Sequence, residues 1–293
     1  MSSLTEIRAW ANAARPVFIC GLERSGTSIL QVSLARHPAL FNVRDVYETF
    51  VFLRPRAIFT EQVSDMTAAY LHGGENVRKL RELVRQLSVK AELSEVDLIR
   101  TFFWFCANQV YPGKQPLEKT PGHVRRLPRL LEIFPLSRVI VCTRDPVEVV
   151  ASYRKRLKKE QEIGKGPEEW GWLDKTPDQL TAHFRAVTNH IREAQARWPG
   201  RVFIAPYEWI TEAPDAALKQ ICEFAALPFV PEVLTPKDVP GRKVDEMLSK
   251  PITKRDSEIE PYLNAEDVRN IRDKTADLME TWNTPGIAGM APA

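Results

Sequence analysis

The sequence predicts an α/β protein of three layers: a central parallel sheet, helices on both of its faces, and a helical insert over about residues 50–112. Three observations carry this. Short apolar runs alternate with helical patterns, and strands separated by helices pair in parallel. Two of the runs, Val17-Phe18-Ile19-Cys20 and Val139-Ile140-Val141-Cys142, are continuously apolar, as strands buried on both faces are. No repeat or composition break divides the 293 residues, so residues 1–293 are expected to form one domain, closed by a loop and helix over about 228–282.

A leading helix is expected over residues 3–13. The first strand stops at Gly21, and a helical pattern with Ile29, Leu30, Val32 and Leu34 opens at Thr27. It should end near His37-Pro38, because proline disfavours helix in the residue before it. Residues 39–59 mix Phe41, Tyr47, Phe50 and Phe52 with Arg44, Asp45, Glu48 and Arg54, which fits a pocket wall and a half-buried irregular segment equally. Two helices are expected over 75–110. The first carries the stripe Val77, Leu80, Val84, Leu87; the second opens on a Ser94–Asp97 capping box and is apolar on more than one side, through Phe102, Phe103, Trp104 and Phe105.

Leu117 to Thr120 reads as a short strand, residues 121–134 as a helix, and residues 138–143 as a buried strand. Asp145 is placed as an N-cap, with Pro146 at the first helical position and Glu148 at the third. The basic far end of that helix, Arg154 to Lys159, suits its dipole. Residues 160–176 should form a loop with Trp170 and Trp172 as lid side chains. A Thr176–Gln179 capping box opens an amphipathic helix through Leu180, Phe184, Val187 and Ile191, with His183 and His190 on solvent. A strand over 201–205, a helix over 213–227, a surface loop over 228–262 and a helix through Val268, Ile271 and Trp282 follow; the tail with Gly286 and Gly289 should fray.

A net charge of +3 is small for this length and argues against a dedicated nucleic-acid binder. Cys20, Cys106, Cys142 and Cys222 sit in apolar surroundings without a CxxC pair, as reduced thiols of a cytoplasmic protein do. No run reaches membrane-span length.

The chemistry points to Gly21-Leu22-Glu23-Arg24-Ser25-Gly26-Thr27-Ser28. A strand, a glycine-bounded loop and a helix start make a phosphate cradle from converging N–H groups and the positive end of a helix dipole. The spacing resembles a Walker A loop, but Thr27 follows the second glycine where that loop has lysine, and the cation sits inside the loop at Arg24. A second anion grip is offered by Arg144, at a strand exit, and Ser152, two turns into the next helix. Two grips at two strand ends suit a ligand with phosphates at both of its ends.

These residues resemble the sulfotransferases that use 3′-phosphoadenosine 5′-phosphosulfate (PAPS), in the branch with R-S-G-T in the loop, which includes bacterial members and the tyrosylprotein sulfotransferases. The resemblance covers most of residues 16–235 in four pieces. The cradle, with Arg24, Ser25, Gly26, Thr27 and Ser28, matches the 5′-phosphosulfate loop; Arg144 through Ser152 matches the 3′-phosphate segment. Glu118-Lys119-Thr120-Pro121 matches the segment whose lysine lies near the sulfuryl group. Tyr207-Glu208, followed by Pro214, matches the segment whose tyrosine reaches adenine. The departures are Glu23 in place of proline, Ser28 in place of threonine, Pro121 where cytosolic members have histidine, and no clean R-K-G segment, for which Arg242, Lys243 and Lys250 are loose substitutes.

The resemblance implies a P-loop-like fold and transfer of a sulfuryl group from PAPS, leaving PAP, with no metal ion required. Arg24 and Lys119 would stabilise the leaving phosphate, and Glu48 would be the base, with Asp45 and His123 as fallbacks. The acceptor would be a hydroxyl, or as the lesser alternative an amine, on an apolar small molecule, a lipid or a carrier-tethered chain, its apolar contacts suggested by Phe102–Phe105 and residues 41–59. The alternatives are a P-loop kinase or NTPase and an inactive PAP-binding module.

Overall fold

The computed structural model describes residues 3–42, 47–60, 63–235, 251–253 and 258–287. The strands are β1 (Val17–Gly21), β2 (Leu117–Lys119), β3 (Arg138–Thr143), β4 (Val202–Pro206) and β5 (Gly286–Ile287). They form one sheet in the spatial order β2-β1-β3-β4-β5. The first four are parallel, in registers such as Ile19 beside Lys119 and Ile140, and Ile140 beside Phe203. Every residue of β1, β2 and β4 is buried, which is why these runs lack the polar alternation of a one-sided sheet.

β5 runs antiparallel, pairing Ile287 with Phe203 and Gly286 with Ile204. The sheet is therefore mixed, and this part of the tail, expected to fray, instead covers what would otherwise be the open edge of β4. Gly289, in the same expectation, lies outside the described residues.

The leading helix, Leu4–Ala13, is tied to the helix Glu95–Phe105 by Arg8, whose Nε and Nη2 donate to Asp97 at 2.8 and 2.9 Å. Asp97 also closes the expected capping box with Ser94. Phe102 and Phe103 are fully buried, and Phe103 packs edge-on against Phe18, Phe102 and Phe134. This aromatic run is core, so it lends no support to an apolar acceptor pocket. The helix continues as a π-helical turn, Cys106–Val110.

The expected helix over 121–134 divides into a 3-10 segment, Pro121–Arg126, and an α-helix, Leu127–Ile133. Pro128 lacks the N–H that a continuous helix would use there. The helix after β1, Thr27–Leu34, ends earlier than expected. His37 beyond it is buried, its Nε2 donating to Pro228 O at 2.8 Å while Nδ1 accepts from Ala39 N. The last helix is broken into Ala265–Thr275, a 3-10 turn Ala276–Leu278, and Met279–Asn283.

Beyond β3 lies the helix Pro146–Glu162, whose basic end finds carboxylates within the chain: Arg154 on Asp267 at 3.0 Å, Lys155 on Glu258 at 2.8 Å, and Arg156 on Glu160. Part of the expected loop is a short helix, Pro167–Trp170, and Trp172 packs edge-on against Tyr153. The helix Pro177–Arg197 begins at the expected Thr176 capping box. All four cysteines are buried and unpaired.

Candidate active site

The turn between β1 and the helix Thr27–Leu34 owes its shape to two glycines. A Cβ at Gly21, whose φ is +145°, would collide with the carbonyl of Cys142 on the neighbouring strand. Gly26 has φ +88° and is the helix N-cap; a Cβ there would lie 2.7 Å from Cδ2 of Tyr207. Between them Arg24 holds φ +73°, a conformation uncommon for a side chain of its size. No side chain caps the helix, so its first N–H groups lack that partner. Ser25 is fully buried, and its Oγ has no hydrogen-bond partner. A buried orphan hydroxyl in a loop of this shape is a polar group awaiting an acceptor.

The two anion grips meet. Arg24 Nε donates to Ser152 Oγ at 3.1 Å, and Arg144 Nη1 donates to the backbone carbonyl of Arg24 at 3.2 Å. Arg144 is oriented on both sides: Nε and Nη2 lie 3.0 and 2.9 Å from Glu148 Oε2, and the guanidinium sits 4.2 Å from the centre of the Tyr207 ring. Tyr207 thus touches both grips, Gly26 on one side and Arg144 on the other.

Asp145 caps its helix as expected, accepting from Val147 N and Glu148 N at 2.8 and 3.1 Å. Glu148, at the third helical position, is on Arg144. The Asp145 N–H donates instead to Glu208 Oε1 at 3.0 Å. Burial pushes the Glu208 carboxyl above its ordinary value, and the Asp145 N–H works against that. This exchange of partners leaves Glu148 available to the arginine and fastens the Tyr207-Glu208 segment to the exit of β3.

At the sheet's edge Lys119, the last residue of β2, is fully buried, and its Nζ lies 3.0 Å from Glu48 Oε1. Glu48 is about a quarter exposed, with 24% of its side chain accessible, so the pair joins the interior to solvent. An isolated buried ammonium is costly, and Glu48 supplies the compensating charge. Glu118 lies beside it in sequence but in a different environment. It is fully buried and accepts from Thr49 Oγ1 at 2.8 Å, Thr120 Oγ1 at 2.6 Å and His123 Nδ1 at 3.0 Å. Burial alone would raise the Glu118 carboxyl; the charge and hydrogen bond of His123 and the two threonine hydroxyls outweigh it and hold the group below its ordinary value.

A sulfotransferase-family model matches residues 16–231. The chain belongs to the sulfotransferase family. It is similar in fold to the sulfotransferase domain from the curacin biosynthetic pathway, at 19% identity over 90% of this chain and 98% of that one, with a TM-score of 0.56. It is likewise similar to the sulfotransferase domain from the Synechococcus PCC 7002 olefin synthase, at 18% identity over 92% and 96%, TM-score 0.55. Sulfotransferase STF9 from Mycobacterium avium is 17% identical over 92% and 77%, TM-score 0.54. Among curated proteins, an uncharacterized protein of Aquifex aeolicus strain VF5 is 21% identical over 227 residues, 75% of this chain; the match spans 26% of that protein's length.

In this member of the sulfotransferase family, Arg24, Ser25, Gly26, Arg144, Ser152 and Tyr207 come together, and Thr27 and Ser28 begin the adjoining helix. Lys119 and Glu48 meet as a separate pair. His123, a fallback base, is fully buried on Glu118, which removes it from contact with an acceptor. Asp45, Arg242, Lys243 and Lys250 lie outside the described residues.

Several side chains escaped sequence reasoning. Glu23, noted only as a departure, accepts from Tyr153 OH at 3.0 Å and from Arg125 at 3.5 Å. His183 is half-buried, with its Nε2 accepting from Arg125 Nε at 3.1 Å. It lines a cavity of about 390 Å³ with Arg125, Asp174, Lys175 and Gln179. No helix among the described residues is long and apolar enough to cross a membrane.

Proposed function

We propose that residues 1–293 act as one unit that transfers a sulfuryl group from PAPS to a hydroxyl, on a small-molecule, lipid or carrier-tethered acceptor. The observation that carries the PAPS reading is the contact between the two anion grips, Arg24 on Ser152 and Arg144 on the Arg24 carbonyl, with Tyr207 against both. The orphan Ser25 hydroxyl, the helix N-terminus without a side-chain cap and the Cβ-free approach at Gly26 support the fit of a phosphate there.

PAPS supplies the sulfuryl group and a phosphate as leaving group. Ser25, Gly26, Thr27 and Ser28 hold the 5′ end of the nucleotide, Arg144 and Ser152 its 3′-phosphate, and Tyr207 its adenine. Arg24 and Lys119 bring positive charge to the transferring group and to the phosphate that departs. Glu48 takes the acceptor's hydroxyl proton as the oxygen–sulfur bond forms and the sulfur–phosphate oxygen bond breaks. Its pairing with Lys119 supports this role, because it keeps the partly exposed carboxylate beside that cation. Positioning and charge stabilisation do most of the work, as in phosphoryl transfer.

Thermal shift tests the nucleotide reading. At a hundred times its dissociation constant a ligand adds about 2.7 kcal/mol, about 4 °C for a chain of this length. PAP should give that shift and Mg-ATP should not; the reverse result refutes the proposal. A screen of hydroxyl acceptors with labelled PAPS, read by mass, then identifies the product. Glu48→Gln that turns over at the wild-type rate with intact PAP binding removes Glu48 as base.

A further inference from the structure

The segment around Glu48 is fastened to β2 from both sides. Among the described residues β2 is an edge strand, paired only with β1, and successive side chains of a strand point to opposite faces. Lys119 and Glu118 therefore leave β2 on opposite faces of the sheet. Two consecutive residues of the chain passing this edge reach them in turn: Glu48 meets Lys119 at 3.0 Å, and Thr49 Oγ1 donates to Glu118 at 2.8 Å. The segment straddles the strand.

The backbone of the segment is held by the same group of side chains. Thr120 Oγ1 accepts from Thr49 N at 3.1 Å and from Phe50 N at 3.4 Å while donating to Glu118 at 2.6 Å. On the near side Tyr47 OH donates to Leu117 O at 2.8 Å, and Thr67 Oγ1 donates to Glu48 O at 3.3 Å. Immediately beyond, Phe50 adopts φ +53°, a conformation that a bulky side chain holds only when its surroundings impose it. Glu118 is the anchor of the far side: both threonine hydroxyls end on its Oε1, and His123, packed edge-on against Phe52, secures its Oε2.

We infer that Glu118, acting through Thr49 and Thr120, is a positioning residue of the transfer reaction: it fixes the segment 47–51 across the edge of β2 so that Glu48 is held on Lys119 in register with the acceptor. The inference rests on the reading of Glu48 as base. Glu118 itself touches neither nucleotide nor acceptor. Its carboxylate serves the far face so that the neighbouring Lys119 and Glu48 keep a fixed separation on the near face. Two consecutive strand residues thus divide the labour, one for chemistry and one for geometry.

The test compares Thr49→Val, which keeps the shape of the side chain and removes its donor, with Thr49→Ser, which restores the hydroxyl. Glu118→Gln serves as the second, harsher variant. Two readouts are used. One is amide hydrogen exchange of the peptide spanning 48–53, which needs no acceptor. The other is steady-state transfer from labelled PAPS to 2-naphthol, with PAP affinity measured alongside. Thr49→Val should speed exchange in that peptide at least about fivefold and lower kcat at least about tenfold, with KM for PAPS and Kd for PAP within about twofold. Thr49→Ser should recover both readouts to within about threefold, and Glu118→Gln should fall as far as Thr49→Val or further.

Unchanged exchange in Thr49→Val overturns the inference, as does a loss of PAP affinity parallel to the loss of kcat, which marks general damage. If Glu48→Gln is inactive while Thr49→Val keeps its kcat, the clamp is wrong and the base reading stands. If Glu48→Gln is fully active, the base reading is wrong, and with it the catalytic part of this inference.

Discussion

Gly26→Ala probes the closeness of the loop and Tyr207. The new methyl group would meet Tyr207 Cδ2 at 2.7 Å, well inside the separation at which carbon atoms attract. Two costs follow. An alanine at φ +88° sits in the left-handed region at about 1–2 kcal/mol, and forcing the aromatic ring aside costs about 1–3 kcal/mol. The smaller entropy of the unfolded alanine chain returns about 0.4–1 kcal/mol. The net is about 3 kcal/mol, or about 5 °C in Tm for a chain of this length. Calorimetric unfolding of wild type, Gly26→Ala, Tyr207→Ala and the double variant separates the two costs. With the ring absent, only the backbone cost remains, so Gly26→Ala should then destabilise by about 1 kcal/mol and the coupling between the sites should be about 2 kcal/mol. PAP binding by titration calorimetry should weaken about 10- to 100-fold in Gly26→Ala, because a base stacked on an aromatic ring contributes about 1–3 kcal/mol. Additivity of the two substitutions to within about 0.5 kcal/mol refutes the reasoning, since it would mean that loop and ring do not touch.

Arg144→Lys should weaken PAP about 10- to 100-fold despite keeping the charge, because an ammonium cannot grip a phosphate with two parallel bonds or lie flat on Tyr207 as the guanidinium does. Ser152→Ala should cost about tenfold in the same titration, removing a hydroxyl from the grip and the acceptor that orients Arg24 Nε. Asp97 gives a pH signature away from the site: the Arg8 hydrogen bond outweighs burial and, with Ser94, holds the carboxyl at about 2 against an ordinary 3.8. That difference corresponds to about 2.4 kcal/mol, discounted to about 1 kcal/mol because the Arg8 side chain is half-exposed, at 50%. Because the folded value is depressed, this stability is present above about pH 4 and is lost as pH falls through about 2, so Asp97→Asn should be about 1 kcal/mol less stable at pH 7 and should converge with wild type in acid unfolding curves.

The elements most legible in the sequence are those whose signal is local. Val139 to Cys142 reads as a strand buried on both faces and is one, and the capping boxes at Ser94 and Thr176 appear as the spacing demands. The less legible ones depend on partners far away in the chain. Nothing near Gly286 announces that it will lie beside Ile204, and two residues carry no periodicity. The aromatic run at Phe102 was ambiguous for a related reason: a helix apolar on several sides suits a core or a pocket, and only the rings of Phe18, Phe52 and Phe134, from other parts of the chain, decide for the core.

The site divides along the same line. The loop and the pair Arg144 and Ser152 stand out as candidate anion grips because glycine, arginine and hydroxyl at short spacings suit phosphate. Their meeting through Arg24 could not, since 128 residues separate Arg24 from Ser152. Glu208 shows what such distant contacts do to a local rule. A glutamate at the third helical position ordinarily reaches back to the N-cap N–H. Glu148 stands there and leaves that duty to Glu208, 63 residues from Asp145, and the released carboxylate orients Arg144. Glu118 is the same kind of case. Read alone, an acidic residue beside Lys119 looks like that lysine's counter-ion. The alternation of a strand forbids it, because neighbours in a strand face opposite ways: Lys119 meets Glu48, while Glu118 accepts from Thr49 of the same segment and from Thr120 and His123. The sequence neighbours Glu118 and Lys119 are tied into one arrangement by a second pair of sequence neighbours, Glu48 and Thr49, each of which meets one of them.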